Sequence, residues 1–222
     1  MELSTRSRIL LAAERLFATQ GIDATSLRQV NSEAQQRNTA AAKYHFQNKE
    51  TLIRAIFEHR LGVIDARRAA MLKAAESEGR LGEPRELVEI LVRPLAEQAT
   101  DEGGHYVRFL HRVLEYVGRD VTALPELGGL EEAVTVGRLV TERLPGLDRP
   151  LMRPRIRWAG QLAISALADL EGGQGAAVDY ELDAESYVVA LIDAITGLLT
   201  ADTTARPPGA PGRPGAEGGN SR

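Results

Sequence analysis

The chain has 222 residues, of which 43% are hydrophobic, and it carries a formal net charge of −4. This length and composition suit one or two domains with a substantial core. The absence of cysteine excludes disulfides and thiolate metal sites and fits a reducing compartment. The N-terminus lacks the apolar stretch of a signal peptide, and no run approaches the roughly 18 apolar residues of a membrane span. We therefore expect a cytoplasmic protein without membrane contact.

The charge is unevenly distributed along the sequence. Residues 1–60 contain nine Lys/Arg and six Asp/Glu, whereas the remainder contains 18 Lys/Arg and 25 Asp/Glu. A positive excess confined to one end of an acidic protein indicates that only this end contacts a polyanion. The excess is small and by itself identifies no partner.

The spacing of apolar residues predicts helices throughout, and no segment shows the alternation typical of a strand. The first helix is predicted over residues 4–20 and ends at Gly21, which we expect to form a left-handed cap. The second helix is predicted to start at Thr25-Ser26, where Ser26 and Gln29 have the spacing of a capping box.

A third, short helix is predicted from about residue 38 to residue 45, and Asn48 caps a fourth helix that continues to about residue 77. The N-terminal helices can share one small core, formed by Leu16, Phe17, Ile22, Leu27, Val30, Ala34 and Phe46. Short helices joined by a tight segment predict a helix-turn-helix, in which the second helix of the pair enters the major groove of DNA.

Further helices are predicted over about 85–101, 105–118, 130–144 and 150–171, and from a cap at Asp183 onward. The fold class is therefore all-α, with about nine helices. Residues 204–222 are rich in Pro and Gly, so we expect a disordered tail. The chain divides into segments 1–50, 51–203 and 204–222.

The segment around the third helix carries side chains suited to nucleic acid. Asn38, Thr39 and Lys43 can reach base edges or phosphates, and Lys49 adds a positive charge at a helix N-terminus, which favours an anion. Arg28 is the best candidate for a bidentate guanine contact. Tyr44 and His45 are suited to contact phosphate oxygens. The alternatives are a solvated charge for Arg28 and Lys49, a packing role for Tyr44 and a helix-end cap for His45.

Residues 25–57, TSLRQVNSEAQQRNTAAAKYHFQNKETLIRAIF, resemble the DNA-binding domain of the tetracycline-repressor (TetR) family of bacterial regulators. The resemblance is carried by Gly21, Thr25-Ser26-Leu27-Arg28, Glu33-Ala34, Tyr44-His45-Phe46, and Asn48-Lys49-Glu50 with Leu52. It implies double-stranded operator DNA as a partner, contacted by Thr25, Ser26, Arg28, Arg37, Asn38, Thr39, Ala40, Lys43, Tyr44, His45 and Lys49.

Two departures from the family pattern concern the turn. Gln35 stands where the family usually has Gly, and a positive φ there costs roughly 1 kcal/mol for a residue other than Gly. The turn is also one residue longer than the common form, as in a Gln-Arg-Asn turn subgroup, with Gln36, Arg37 and Asn38 in it.

The resemblance also implies that residues 51–203 bind a small-molecule effector and form a homodimer. We expect a two-fold four-helix interface that includes Ala159, Ala163, Ala166, Tyr187, Leu191, Ile195 and Leu198; the alternative is an intrachain core. The candidate pocket residues are Tyr106, Phe109, Val113, Tyr116, Trp158 and Gln161, each of which has a plain core or surface role as its alternative. A mostly apolar lining favours an apolar or amphipathic effector.

No nucleophile elbow, phosphate loop or paired-carboxylate motif is visible, and the four histidines are too scattered for a metal site. We therefore expect neither an enzyme nor a protein with a metal or cofactor. The resemblance implies a ligand-responsive bacterial transcriptional regulator, a repressor that binds a palindromic operator as a homodimer and is released by its effector. The alternative is a helical small-molecule-binding or adaptor protein without DNA binding.

Overall fold

The computed structural model describes residues 4–35, 46–119, 121, 124, 131–143, 149–173 and 182–203. Every regular element in these ranges is helical, which confirms the predicted all-α class. The predicted recognition helix and the predicted tail lie outside the described residues. The helices are α1 (Thr5–Gln20), α2 (Leu27–Glu33), α3 (Lys49–Ser77), α4 (Pro84–Ala99), α5 (Tyr106–Tyr116), α6 (Glu131–Arg143), α7 (Arg149–Glu171) and α8 (Ala184–Thr200), with a 3-10 turn at Arg80–Gly82.

Side-chain caps begin three of these helices where the sequence predicts them. The Ser26 hydroxyl accepts from the Gln29 N–H at 3.2 Å, and the Gln29 side-chain oxygen accepts from the Ser26 N–H at 2.7 Å. Asn48 Oδ1 accepts from the Thr51 N–H at 2.8 Å, and Asp183 caps α8 in the same way. Each cap satisfies a backbone donor that has no partner inside the helix.

The end of α1 differs from the prediction. Gly21 has a positive φ of 90°, but its ψ of 159° is extended, so the prediction of a left-handed cap is wrong. The Gly21 N–H still donates to the Phe17 carbonyl, at 3.0 Å. The chain therefore leaves the helix directly into an extended segment, and this path places Ile22 in the core.

The predicted N-terminal core is confirmed. Six of its seven members are buried, and Leu27 is partly buried against them. Arg6 of α1 also lies over the ring of Phe46, with its guanidinium carbon 5.6 Å from the ring centroid. The shared core and the Arg6–Phe46 contact hold α1 and α2, which precede residues 36–45 in the sequence, against the start of α3, which follows them.

Four buried aromatic rings extend this core into the rest of the chain. Phe109 of α5 stacks on Phe17 of α1, with ring centroids 6.1 Å apart. Phe57 of α3 lies 5.5 Å from Phe109 and 6.4 Å from Tyr106, which it meets edge-on. The hydrophobic core therefore continues across the predicted boundary at residue 50.

A buried ion pair joins α1 to α3 beside these rings. Glu14 is only 3% exposed, and its two carboxylate oxygens accept from Arg60 Nε at 2.8 Å and Arg60 Nη2 at 2.6 Å. The hydrogen bond to Glu14 raises the pKa of Arg60, although burial of the guanidinium opposes this shift. The bidentate geometry is the strong form of this interaction, because two charge-assisted hydrogen bonds form together.

We expect Glu14→Ala to lower the free energy of unfolding by about 2–3 kcal/mol, because it leaves a partly buried guanidinium without its partner. The matched control is Glu58→Ala, since Glu58 pairs with Arg6 at 3.8 Å and both side chains are at least half exposed. Its expected effect is within about 0.5 kcal/mol. Denaturant unfolding measures both changes in the free energy of unfolding. Equal losses of stability would contradict the prediction that the Glu14–Arg60 pair contributes more than a surface ion pair.

Candidate nucleic-acid interface and ligand cavity

The first candidate site surrounds the segment between α2 and α3. Seven of the predicted DNA-contacting residues lie outside the described residues: Arg37, Asn38, Thr39, Ala40, Lys43, Tyr44 and His45. The other four, which are Thr25, Ser26, Arg28 and Lys49, flank that segment on both sides.

Arg28 lies in the first turn of α2 and is exposed. It makes no hydrogen bond or ion pair with another described residue, so its guanidinium is available to an external acceptor. Ser26 is also exposed, but its hydroxyl already takes part in the capping box. Arg28 is therefore the described side chain at this surface best placed to contact a nucleic acid.

Thr25 has a different environment from the one a DNA-contacting side chain needs. It is only 1% exposed, and its hydroxyl donates to the Gly21 carbonyl at 2.8 Å. A longer contact of 3.4 Å reaches the Leu16 carbonyl. The side chain therefore lies inside the protein, where it holds the connection between α1 and α2.

Lys49, the first residue of α3, is engaged with the same connection. Its ammonium donates to the Ile22 carbonyl at 2.8 Å and to the Asp23 carbonyl at 2.9 Å. These contacts tie the start of α3 to the loop that leads into α2. Lys49 thus positions the helices that flank residues 36–45.

The second candidate site is a cavity of about 410 Å³ lined by residues of α3, α4, α5, α6, α7 and α8. This volume lies within the range of small-molecule sites. Most of its wall is aliphatic, with contributions such as Leu61, Val88, Leu110, Val140, Ile156 and Leu199.

Two polar side chains, Arg68 and Tyr106, interrupt the apolar wall. Arg68 donates through Nη1 to Asp65 at 2.9 Å and through Nη2 to the Leu91 carbonyl at 3.4 Å. Its Nε and the Tyr106 hydroxyl are buried, and neither has a hydrogen-bond partner among the described residues. Burial raises the pKa of Tyr106, so the hydroxyl stays protonated near neutral pH.

The cavity wall differs from the predicted pocket, and Tyr106 is the member common to both. Phe109 and Val113 lie in the core away from the cavity. A helix places residues four apart on one face, so Tyr106 and Leu110 face the cavity while Phe109 and Val113 face elsewhere.

The other three predicted pocket residues lie near the surface. Trp158 and Gln161 line a smaller depression of about 290 Å³ between α5 and α7. Tyr116 is exposed, and its hydroxyl donates to a Glu50 carboxylate oxygen at 3.0 Å. That bond connects the end of α5 to the start of α3.

The residues predicted for a dimer interface divide into two groups. Within this single chain Ala159, Ala163, Leu191 and Ile195 are buried, and all of these except Leu191 line the cavity. Ala166, Tyr187 and Leu198 are only partly buried. Sequence reasoning missed Leu162, which is 38% exposed and lies one turn from Ala166 and from the exposed Trp158.

Comparison with known proteins identifies the N-terminal part. Residues 9–56 match the family of bacterial regulatory proteins named tetR. They form a tetR-family N-terminal domain. Members of this family are DNA-binding regulators and not enzymes.

In the described ranges, no group of three His, Asp or Glu residues could hold a metal ion, and no helix is long and apolar enough to cross a membrane.

Solved structures extend the similarity in fold beyond this domain. NalD, the secondary repressor of the MexAB-OprM multidrug efflux pump in Pseudomonas aeruginosa, has a TM-score of 0.53 and 21% identity, over 86% of this chain and 93% of NalD. An alanine-substituted mutant of HlyIIR has a TM-score of 0.50 and 17% identity, over 88% of this chain and 99% of HlyIIR. None of the curated proteins searched matches the chain significantly. The fold is a tetR-family domain followed by a helical C-terminal domain.

The tetR-family domain contains an uncommon backbone conformation at Gln35. Its φ is 53°, in the left-handed region that favours Gly, and its N–H donates to the Ser32 carbonyl at 3.1 Å. Gln47, on the other side of residues 36–45, also has a positive φ, of 40°. The departure from Gly at Gln35 therefore introduces backbone strain at the end of α2.

We expect Gln35→Gly to raise the free energy of unfolding, by at most about 1 kcal/mol, because the strain relieved exceeds the backbone entropy that Gly adds to the unfolded chain. The matched control is Gln98→Gly within α4, which should destabilise by roughly 0.5–1 kcal/mol. Thermal or denaturant unfolding gives the sign of the stability change for both variants. A loss of stability at Gln35 as large as the loss at Gln98 would show that no strain is present.

We expect Lys49→Met to lower the free energy of unfolding by about 1 kcal/mol, because two carbonyls lose a charged donor while the apolar stem is kept. The comparison is Arg54→Met on the same helix, since Arg54 is exposed and makes no hydrogen bond with another described residue. Denaturant unfolding should show almost no change for Arg54→Met. If the two variants are equally stable, the Lys49 ammonium does not position the flanking helices.

Proposed function

We propose that the protein is a ligand-responsive bacterial transcriptional regulator that acts in the cytoplasm. It represses transcription by binding a palindromic operator as a homodimer, and a small apolar or amphipathic molecule releases it. The observation that carries this proposal is a tetR-family domain whose core is continuous with a helical domain lining a cavity of about 410 Å³.

In this proposal, residues 36–45 supply the recognition helix and the longer Gln-Arg-Asn type of turn. Asn38, Thr39 and Lys43 contact base edges or phosphates in the major groove. Arg28 adds a contact from α2, which its exposure and its freedom from described partners support. Residues 1–50 act as the DNA-binding domain and residues 51–203 as the effector-binding and dimerisation domain.

The proposed dimer interface lies on the outer faces of α7 and α8. Trp158, Leu162 and Ala166 follow one another at four-residue spacing, so they form one stripe on α7, and Trp158 and Leu162 are exposed. The neighbouring face of α8 carries small exposed residues, Ala190 and Ala194. Large apolar side chains exposed next to one another, as Trp158 and Leu162 are, support an interaction surface at this place.

The proposed release mechanism uses α3 as the connection between the two sites. The helix has 29 residues and is therefore about 43 Å long. Lys49 at its start holds the loop before α2, whereas Leu61 and Arg68 further along it line the cavity. An effector that binds better to a state with a different α3 position shifts the population away from the DNA-binding state.

The proposal is tested by binding of the purified protein to DNA fragments from upstream of its own gene, followed across a salt series. A specific complex whose affinity falls steeply with salt supports the regulator. Genome-wide mapping of bound sites then extends the test to other targets. If neither approach finds a specific site, the alternative of a helical ligand-binding or adaptor protein replaces the proposal.

We expect Arg28→Ala and Lys43→Ala each to weaken operator binding by about tenfold or more, because single specific contacts contribute about 1–3 kcal/mol. If Lys43 contacts phosphate, its variant also reduces the salt slope by about 1. The charge-matched control is Arg138→Ala, which removes an exposed arginine of α6 that bonds Glu142. It should bind DNA like the wild type. Wild-type affinity in both test variants would overturn the site assignment.

A further inference from the structure

Two residues that line the largely apolar cavity each carry a buried hydrogen-bond donor without a partner among the described residues. Tyr106 is 1% exposed and Arg68 is 3% exposed, and both line the cavity. The unpartnered atoms are the Tyr106 hydroxyl and Arg68 Nε. A buried donor without an acceptor costs roughly 1–3 kcal/mol, so such groups are uncommon unless a ligand or water completes them.

We propose that the cavity binds a hydrophobic molecule carrying one neutral, carbonyl-type hydrogen-bond acceptor, which Tyr106 and Arg68 recognise. The proposal deepens the ligand-responsive function proposed above and rests on it. Arg68 Nε can only donate, and the Tyr106 hydroxyl can also donate, so an acceptor is the one ligand group that satisfies both side chains. The aliphatic wall favours a hydrocarbon body for the remainder of the molecule.

The charges around the two donors indicate a neutral ligand. Arg68 is already paired with Asp65 at 2.9 Å, and Arg60 is paired with the buried Glu14. All four of these described groups act on Tyr106, and their formal charges balance. A carboxylate entering the cavity would therefore bring an uncompensated negative charge into an apolar space, which is costly.

The test compares three probes of nearly the same shape on the full-length protein without DNA. They are methyl naphthyl ketone, ethylnaphthalene and naphthoate, all substituted at the same ring position, with dissociation constants measured by titration. We expect the ketone to bind roughly five- to tenfold more tightly than the hydrocarbon, because it alone supplies a neutral acceptor. We also expect it to bind more tightly than naphthoate.

The decisive variant is Tyr106→Phe, which removes the hydroxyl and keeps the ring. The ketone preference over the hydrocarbon should fall several-fold, while the melting temperature of the free protein stays the same or rises, because an unpartnered donor is lost. The matched control is Tyr187→Phe, whose hydroxyl donates to the Ala166 carbonyl at 3.1 Å and is not part of the cavity wall. It should lower the melting temperature and leave the ketone preference unchanged.

Three results would overturn the inference. The first is equal binding of the ketone and the hydrocarbon to the wild type, or no binding of any probe. The second is tightest binding of naphthoate, which would show that Arg68 selects an anion. The third is an unchanged ketone preference in Tyr106→Phe. These dissociation constants are measured without DNA, so they do not depend on operator binding. A protein that binds no operator would therefore refute the proposed regulator function and leave the ketone preference as a separate result.

Discussion

The packing of four buried rings, Phe17, Phe57, Tyr106 and Phe109, is the contact on which the rest of the structure depends. The rings come from α1, α3 and α5 and lie within 5.5–6.4 Å of one another along the cluster. Through them the N-terminal helix is held directly against the C-terminal helices, beside the Glu14–Arg60 ion pair. The tetR-family domain therefore shares its core with the helical domain and is not joined to it by a linker alone.

The loop before α2 shows how the candidate DNA surface depends on interior contacts. The Thr25 hydroxyl bonds to the Gly21 carbonyl, and the Lys49 ammonium bonds to the Ile22 and Asp23 carbonyls. Both side chains are of types that often bind phosphate, yet here their polar atoms determine where α2 begins. Arg28 keeps its guanidinium exposed because it lies on the solvent side of the helix that these contacts position.

Helix boundaries could be predicted closely because local chemistry determines them. Ser26, Asn48 and Asp183 accept from backbone N–H groups as their sequence patterns predict, and α3 ends at Ser77, before the glycines and proline of residues 79–84. The cavity wall could not be predicted in the same way. Small residues on α7 such as Ala159 and Ala163 permit either close approach of a helix or open space beside it, and only the positions of α4, α5 and α6 decide between these outcomes. Gly160 is an example of close approach, because an added Cβ there would lie 3.0 Å from a methyl group of Val121.

Tyr106 belongs to both the ring cluster and the cavity, and this dual membership links the two proposals physically. Its ring packs on Phe57 and Phe109, the residue lines the cavity, and its buried hydroxyl has no hydrogen-bond partner among the described residues. A ligand that accepts this hydrogen bond interacts with the same side chain that holds α5 against α3. Such a ligand can bias the equilibrium between two arrangements only if it binds them with different free energies. Phe109 lies between Tyr106 and Phe17 of α1, with its ring centroid 6.1 Å from each, so under the proposed mechanism the shortest route from the cavity wall to the N-terminal helices runs through one ring.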